Sequence, residues 1–317
     1  MINQTDNYRK PKQPSSWLVS LICAGFMAAL ASPLVAQNVQ KVSASVTTNI
    51  WKDIGASERI DLSGRLHMLS QRIAASTCSL EAGVDADISK GIMAGSAAEM
   101  DRIMDALTNG NPLMKIIGAE DDPRVMASIN RVNDNWQPVR AVLADLHANG
   151  TSAEGLSAVR DWNVPYFEFA QLLVSEIAAE YANPADLLQR DAILVDLAGR
   201  QRMRTQKMLK QACETLLGRT KADELTQTVG VFERTLDALL NGAPQVGISK
   251  APTPGLDASL RAIDADWQQI KPVMVTITQG GTLTSGSQTA LMLRLNELLI
   301  KSNGVVTMYT KHAKNAY

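Results

Sequence analysis

The sequence predicts an all-α protein: two tandem antiparallel four-helix bundles. Three observations carry this. Sequence matches recur at a nearly constant offset through more than a hundred residues, the mark of a tandem duplication. Between turn signals the apolar residues fall three and four apart, as on amphipathic helices. Alternating β-type runs are scarce, and aromatics make up only 4% of the chain.

The first 36 residues stand apart. Arg9, Lys10 and Lys12 precede the apolar run "WLVSLICAGFMAALASPLVA", a secretory signal pattern with small residues for cleavage at Ala31 or Ala36. The run is about as long as a membrane span, so an uncleaved N-terminal anchor is the alternative, weakened by Ser20, Gly25, Ser32 and Pro33. Export to the periplasm is expected. Removing residues 1–36 moves the net charge from −1 to about −3, which argues against non-specific nucleic-acid binding.

The repeats begin after this segment. "DLSGRLHMLSQRIA" at 61–74 returns as "DLAGRQRMRTQKML" at 196–209, an offset of 135. "DALTNG" at 105 matches "DALLNG" at 237, "INRVNDNW" at 129 matches "LRAIDADW" at 260, and "AQLLVSEI" at 170 parallels "NELLIKSN" at 296. Breaks near Gly83, at "NGNP" (109–112) with "EDDP" (120–123), and at "ANGTSAEG" (148–155) cut the first copy into four helices. Gly218, "NGAPQVGISKAPTPG" (241–255) and "QGGTLTSGS" (279–287) do the same in the second. Asn183-Pro184, an N-cap followed by a first-turn proline, marks the junction. The expected division is 1–36 signal peptide, 37–182 first bundle and 183–317 second bundle. Four up-and-down helices return the chain to its starting end, so the first helices of the two bundles can lie side by side and parallel.

On a helical wheel Arg204, Lys207 and Gln211 fall within about 40° of Arg200, one polar stripe whose plain reading is a solvated face. Asp61 and Asp196 precede Arg65 and Arg200 by one turn, the spacing of local ion pairs. Arg202 points to about 200°, into an apolar seam with Val195, Ala198, Leu209 and Cys213. The first copy places His67 there. A buried guanidinium needs a counter-ion, supplied by a carboxylate or a bound anion. Its planar fork suits oxyanions. Gly64 and Gly199, three residues earlier, cost helix stability and read as close-approach positions.

These motifs resemble the signature helix of the PilJ-type sensory domain, the N-terminal domain of type IV pili methyl-accepting transducers. That family is similar in turn to the periplasmic domains of NarX/NarQ-type nitrate and nitrite sensor kinases. The resemblance implies a pseudo-dimer folded from one chain, with one anion, nitrate or nitrite first, held between the two first helices. The implied ligand-binding residues are Arg202 and its opposite number His67, with Gly64, Gly199, Arg65 and Arg200 around them. Arg72 and Lys207 match the family's second basic position and have a supporting role or lie on a solvated face. An imidazole in place of the second arginine carries only partial charge, which opens the way to a pH-dependent site.

Cys78 and Cys213 share the 135-residue offset on this seam. In an oxidising compartment they either join as a disulfide or remain two buried thiols inherited by duplication. Trp136 and Trp267, at matching places, read as core rather than pocket. Met68, Met203 and Met208 read as core or seam. No CxxC, CxxCH, GxSxG or phosphate loop occurs, and the three histidines are scattered, so neither an enzyme nor a metal or other cofactor is expected. The expected function is a periplasmic sensory module that captures a small oxyanion and acts on a membrane-bound sensor kinase, chemoreceptor or transporter, since no signalling module of its own follows the repeats. The alternative is a ligand-free structural or interaction protein of the envelope, with Arg202 satisfied by an internal carboxylate.

Overall fold

The computed structural model describes residues 55–181 and 189–315. In chain order its helices are α1 (Ala56–Glu81), α2 (Ala86–Asn109), α3 (Pro123–Asn149), α4 (Ala153–Tyr181), α5 (Gln189–Leu216), α6 (Ala222–Asn241), α7 (Pro254–Thr278) and α8 (Ser285–Asn315). Among the described residues there is no strand, only isolated bridges pairing Asn111 with Ile116 and Ala243 with Ile248. Each bridge closes a short 3-10 turn, Pro112–Met114 or Pro244–Val246, between the second and third helix of its repeat. The expected signal segment and the Asn183-Pro184 junction lie outside the described residues.

Helix ends follow local chemistry. Asp122 caps α3 by accepting from the backbone N–H of Arg124 and Val125, with Pro123 in the first turn where its missing N–H costs nothing. Thr253 and Pro254 repeat the arrangement at α7. Gly110 ends α2 at φ 79°, and a Cβ there would stand 2.5 Å from the Gly118 carbonyl oxygen. Only glycine lets this connection fold back so tightly.

The first four helices bury Leu66, Ile73, Met100, Trp136 and Tyr166, and the last four bury Phe232, Trp267, Met274, Leu295 and Tyr309. In both repeats the third-helix tryptophan sits in its own core and donates its indole N–H to a second-helix carboxylate. Trp136 uses Asp101 at 2.8 Å, and Trp267 uses Glu233 at 2.9 Å. Arg140 and Lys271, one turn on, hold those same carboxylates.

The two cores interlock along α1 and α5. Met203 of α5 and Leu299 of α8 join the first core, while Ala75 of α1 joins the second. Asp61 meets Arg202 near the start of this seam, and Cys78 is bonded to Cys213 toward its end, with Cα atoms 6.2 Å apart. Contacts at both levels require helices running the same way in register. Close to the disulfide, Glu81 accepts from Arg160 at 3.0 Å and from Arg219, which crosses from the second repeat. The hydrogen bonds from Arg219 are the first cause holding the Glu81 carboxyl below its ordinary range.

Two local expectations are corrected. Asp61 does not pair with Arg65: it reaches across to Arg202, and Arg65 turns to Glu99 of α2 at 2.7 Å. Asp196 does pair with Arg200, at 2.7 Å. The polar stripe on α5 is also not a solvated face throughout. Arg200 is exposed, Arg204 and Lys207 are half-buried, and Gln211 is only 4% exposed. The reason is that α1, α6 and α8 all pack on α5, leaving little of its circumference to water.

Candidate functional site

A cavity of about 150 Å³ lies on the seam, walled by α1, α4, α5 and α8. It gathers Gly64 and His67 from α1 with Gly199, Arg200 and Arg202 from α5, five of the residues the sequence nominates. Asp61, Arg204 and Asp196 also line it, so three arginines stand against two aspartates. Arg65 and Arg72 do not reach it. Lys207 stands one layer behind, its Nζ 5.4 Å from the centre of the Phe167 ring, and Phe167 is part of the wall.

Arg202 is 2% exposed. Its Nη1 donates to Asp61 Oδ1 at 2.7 Å and its Nη2 to the Asp61 carbonyl at 3.2 Å. Its Nε is buried with no hydrogen-bond partner. A fixed positive charge at this depth is tolerated because a carboxylate faces it. Asp61 is the internal counter-ion, with 28% of its side chain exposed.

The two glycines of the motif have different surroundings. A Cβ at Gly64 would lie 3.3 Å from Arg202 Nη2, so this glycine lets the guanidinium rest against α1. A Cβ at Gly199 would meet nothing within 4 Å, so no other protein group packs closely on it; it borders the cavity. Gly199→Ala is expected to raise stability by about 0.5–1 kcal/mol through helix propensity alone. Gly64→Ala is expected to gain less, because the methyl makes the buried Arg202 guanidinium give way by a few tenths of an ångström. Thermal unfolding of the two variants checks this, and equal shifts would contradict it.

His67 packs on Phe167, with ring centroids 4.0 Å apart, and its Nε2 is buried without a partner. Burial first, then Lys207 and Arg200, lowers its pKa from 6.5 to about 3. The imidazole therefore stays neutral across the physiological range, and the expectation of a pH-dependent site through His67 is corrected. The sign for stability follows from the same shift. The contribution of neutral His67 is complete above pH 6.5 and is lost as pH falls toward about 3, because the unfolded chain takes up a proton that the folded chain refuses. Urea unfolding at stepped pH should show stability falling below pH 6.5, with a shallower fall for His67→Gln; identical slopes would contradict the burial. Beside it, burial and then Arg200 lower the Arg204 pKa to about 10, with Asp196 opposing. Burial, followed by Lys210, lowers that of Lys207.

Sequence reasoning missed the contributions of the fourth helices. Phe167, Gln171, Val174 and Ser175 come from α4 and Val306 from α8, and Asn303 approaches Arg202 Nη1 at 3.5 Å. The repeat "AQLLVSEI"/"NELLIKSN" marked these segments as equivalent but not which face meets the seam.

The cavity thus sits between two copies of one sequence motif. The profile of the PilJ family, described as type IV pili methyl-accepting chemotaxis transducer N-terminal domain, matches residues 48–161 and again residues 186–291. The chain belongs to the PilJ family. The family is one of sensory receptor domains, and the two matched segments carry α1 and α5, two of the four helices that wall the cavity. Among solved structures the chain is similar to the "Ligand binding domain (LBD) of the p. aeruginosa nitrate receptor McpN", at 23% identity and a TM-score of 0.35, over 38% of this chain and 95% of that one. No curated protein matches it by sequence. Among the described residues no cluster of metal-ligating side chains occurs, and no helix is long and apolar enough to cross a membrane.

Proposed function

We propose that this PilJ protein is a periplasmic sensory module that binds one small anion in the cavity between α1 and α5 and passes the bound state to a membrane partner. The observation that carries the reading is the pair of buried, unpartnered nitrogens, Arg202 Nε and His67 Nε2, on two side chains that line the same cavity. Buried polar groups in folded proteins are ordinarily satisfied, and an anion held against these two side chains would supply the partner that both lack. The lining charges leave the cavity positive by one, the complement of a monoanion. A planar oxygen-bearing head fits the edge of a guanidinium. Nitrate and nitrite are the ions the motif resemblance suggests.

Calorimetry of the purified protein with nitrate and nitrite tests the reading. Arg202→Ala should weaken binding about 10- to 100-fold, the range for hydrogen bonds to a charged group. Unchanged affinity in the variant removes Arg202 from the site.

The ion pair between Arg202 and Asp61 favours a second reading, a ligand-free interaction protein whose buried guanidinium is already neutralised. Asp61→Asn separates the two. A binding module loses a competitor for Arg202 and binds its anion more tightly, whereas a structural pair only loses stability.

A further inference from the structure

The walls of the cavity are more apolar than an inorganic anion needs. Ile60, Phe167, Val174, Val195, Met203 and Val306 supply six of its sides. Nitrate gains little from such surfaces, whereas each methylene buried against them strengthens binding about fourfold. The volume of about 150 Å³ also exceeds what a four-atom ion fills. A cavity of roughly that size holds a benzene ring in an engineered protein. The chain itself shows which head group the guanidinium accepts, because the group on Arg202 is the carboxylate of Asp61 at 2.7 Å.

We infer that the ligand is a small organic monocarboxylate, its head group against the side chains of Arg202 and His67, its compact apolar body among Phe167, Val174, Val195 and Met203. The inference rests on the anion-site reading above and narrows it from any planar monoanion to one with a hydrophobic body. Three arginines against two aspartates favour a single negative charge and disfavour dicarboxylates.

The test is a calorimetric series on the purified protein with acetate, propionate, butyrate, benzoate, succinate and nitrate. Affinity should climb about fourfold with each added methylene up to butyrate, and should exceed that for nitrate and for succinate. Gly199→Val places a side chain where a Cβ meets nothing within 4 Å at the cavity edge, so it should fold normally by circular dichroism yet bind butyrate at least about tenfold more weakly. Nitrate binding as tightly as every carboxylate, or Gly199→Val binding butyrate unchanged, overturns the inference and leaves the anion site standing. No binding by any member of the series overturns the inference and the anion-site reading together.

Discussion

Replacing both Cys78 and Cys213 with serine is expected to lower the unfolding free energy by about 5 kcal/mol. The bond closes a loop with a sequence separation of 135 residues, and the chain-entropy cost that it removes from folding grows with the logarithm of that length. The bridge also ties equivalent positions of two helices that start separate repeats, so it holds α1 and α5 in register beside the cavity. Without it, that register rests on the seam packing, the Asp61–Arg202 pair and the Glu81–Arg219 contact. Urea unfolding of the oxidised protein against the double serine variant measures the loss. A change under about 1 kcal/mol would mean that the reduced chain already keeps its two first helices together when unfolded.

Glu120→Ala is expected to cost about 3–5 kcal/mol, because it strands a buried guanidinium. Arg59 of α1 donates to Glu120 at 3.0 Å, and the two side chains are 5% and 0% exposed. The Glu120 carboxylate also accepts from the Tyr181 hydroxyl and from the backbone N–H of Asp121 and Asp122, while Arg59 lies over the Tyr181 ring. Burial first, and then Glu120, raise the Tyr181 pKa. One carboxylate therefore joins α1, α4 and the loop between α2 and α3. The double substitution Arg59→Met with Glu120→Leu should recover the part of the loss that belongs to the unpaired charge, and not the part from the Tyr181 hydroxyl, the backbone N–H groups and the Leu107 and Gly118 carbonyls left without partners. If the double variant is as unstable as the single one, the loss comes from the stranded hydrogen-bonding groups and not from the charge.

This cluster shows what the sequence concealed. Comparison of repeats brings out what both copies share, and Arg59 has no counterpart: the 135-residue offset lands on Leu194. The helix breaks were legible because glycine, proline and capping residues act locally, as at Gly110 and Asp122. The burial of Arg202 was legible too, since a wheel needs only the helix's own sequence. Its partner was not. A wheel offers Asp61 the residue one turn along its own helix, and only the register of α1 against α5 brings Arg202 closer. The same limit explains Gln211, polar in type and yet covered, because its exposure is set by three neighbouring helices. Gly199 and Gly64 look alike in sequence, but the asymmetry of the seam gives one a guanidinium and the other an open cavity.

The proposed function requires Arg202 to hold a ligand anion at the seam of the two repeats. Nitrogen-15 NMR of the arginine Nε–H signals during anion titration tests it most directly. The Arg202 Nε–H signal should move and saturate with the calorimetric affinity, while the signal of Arg59, held in its own ion pair, stays fixed. A titration that leaves the Arg202 signal in place while the anion binds elsewhere, or not at all, removes Arg202 from anion binding.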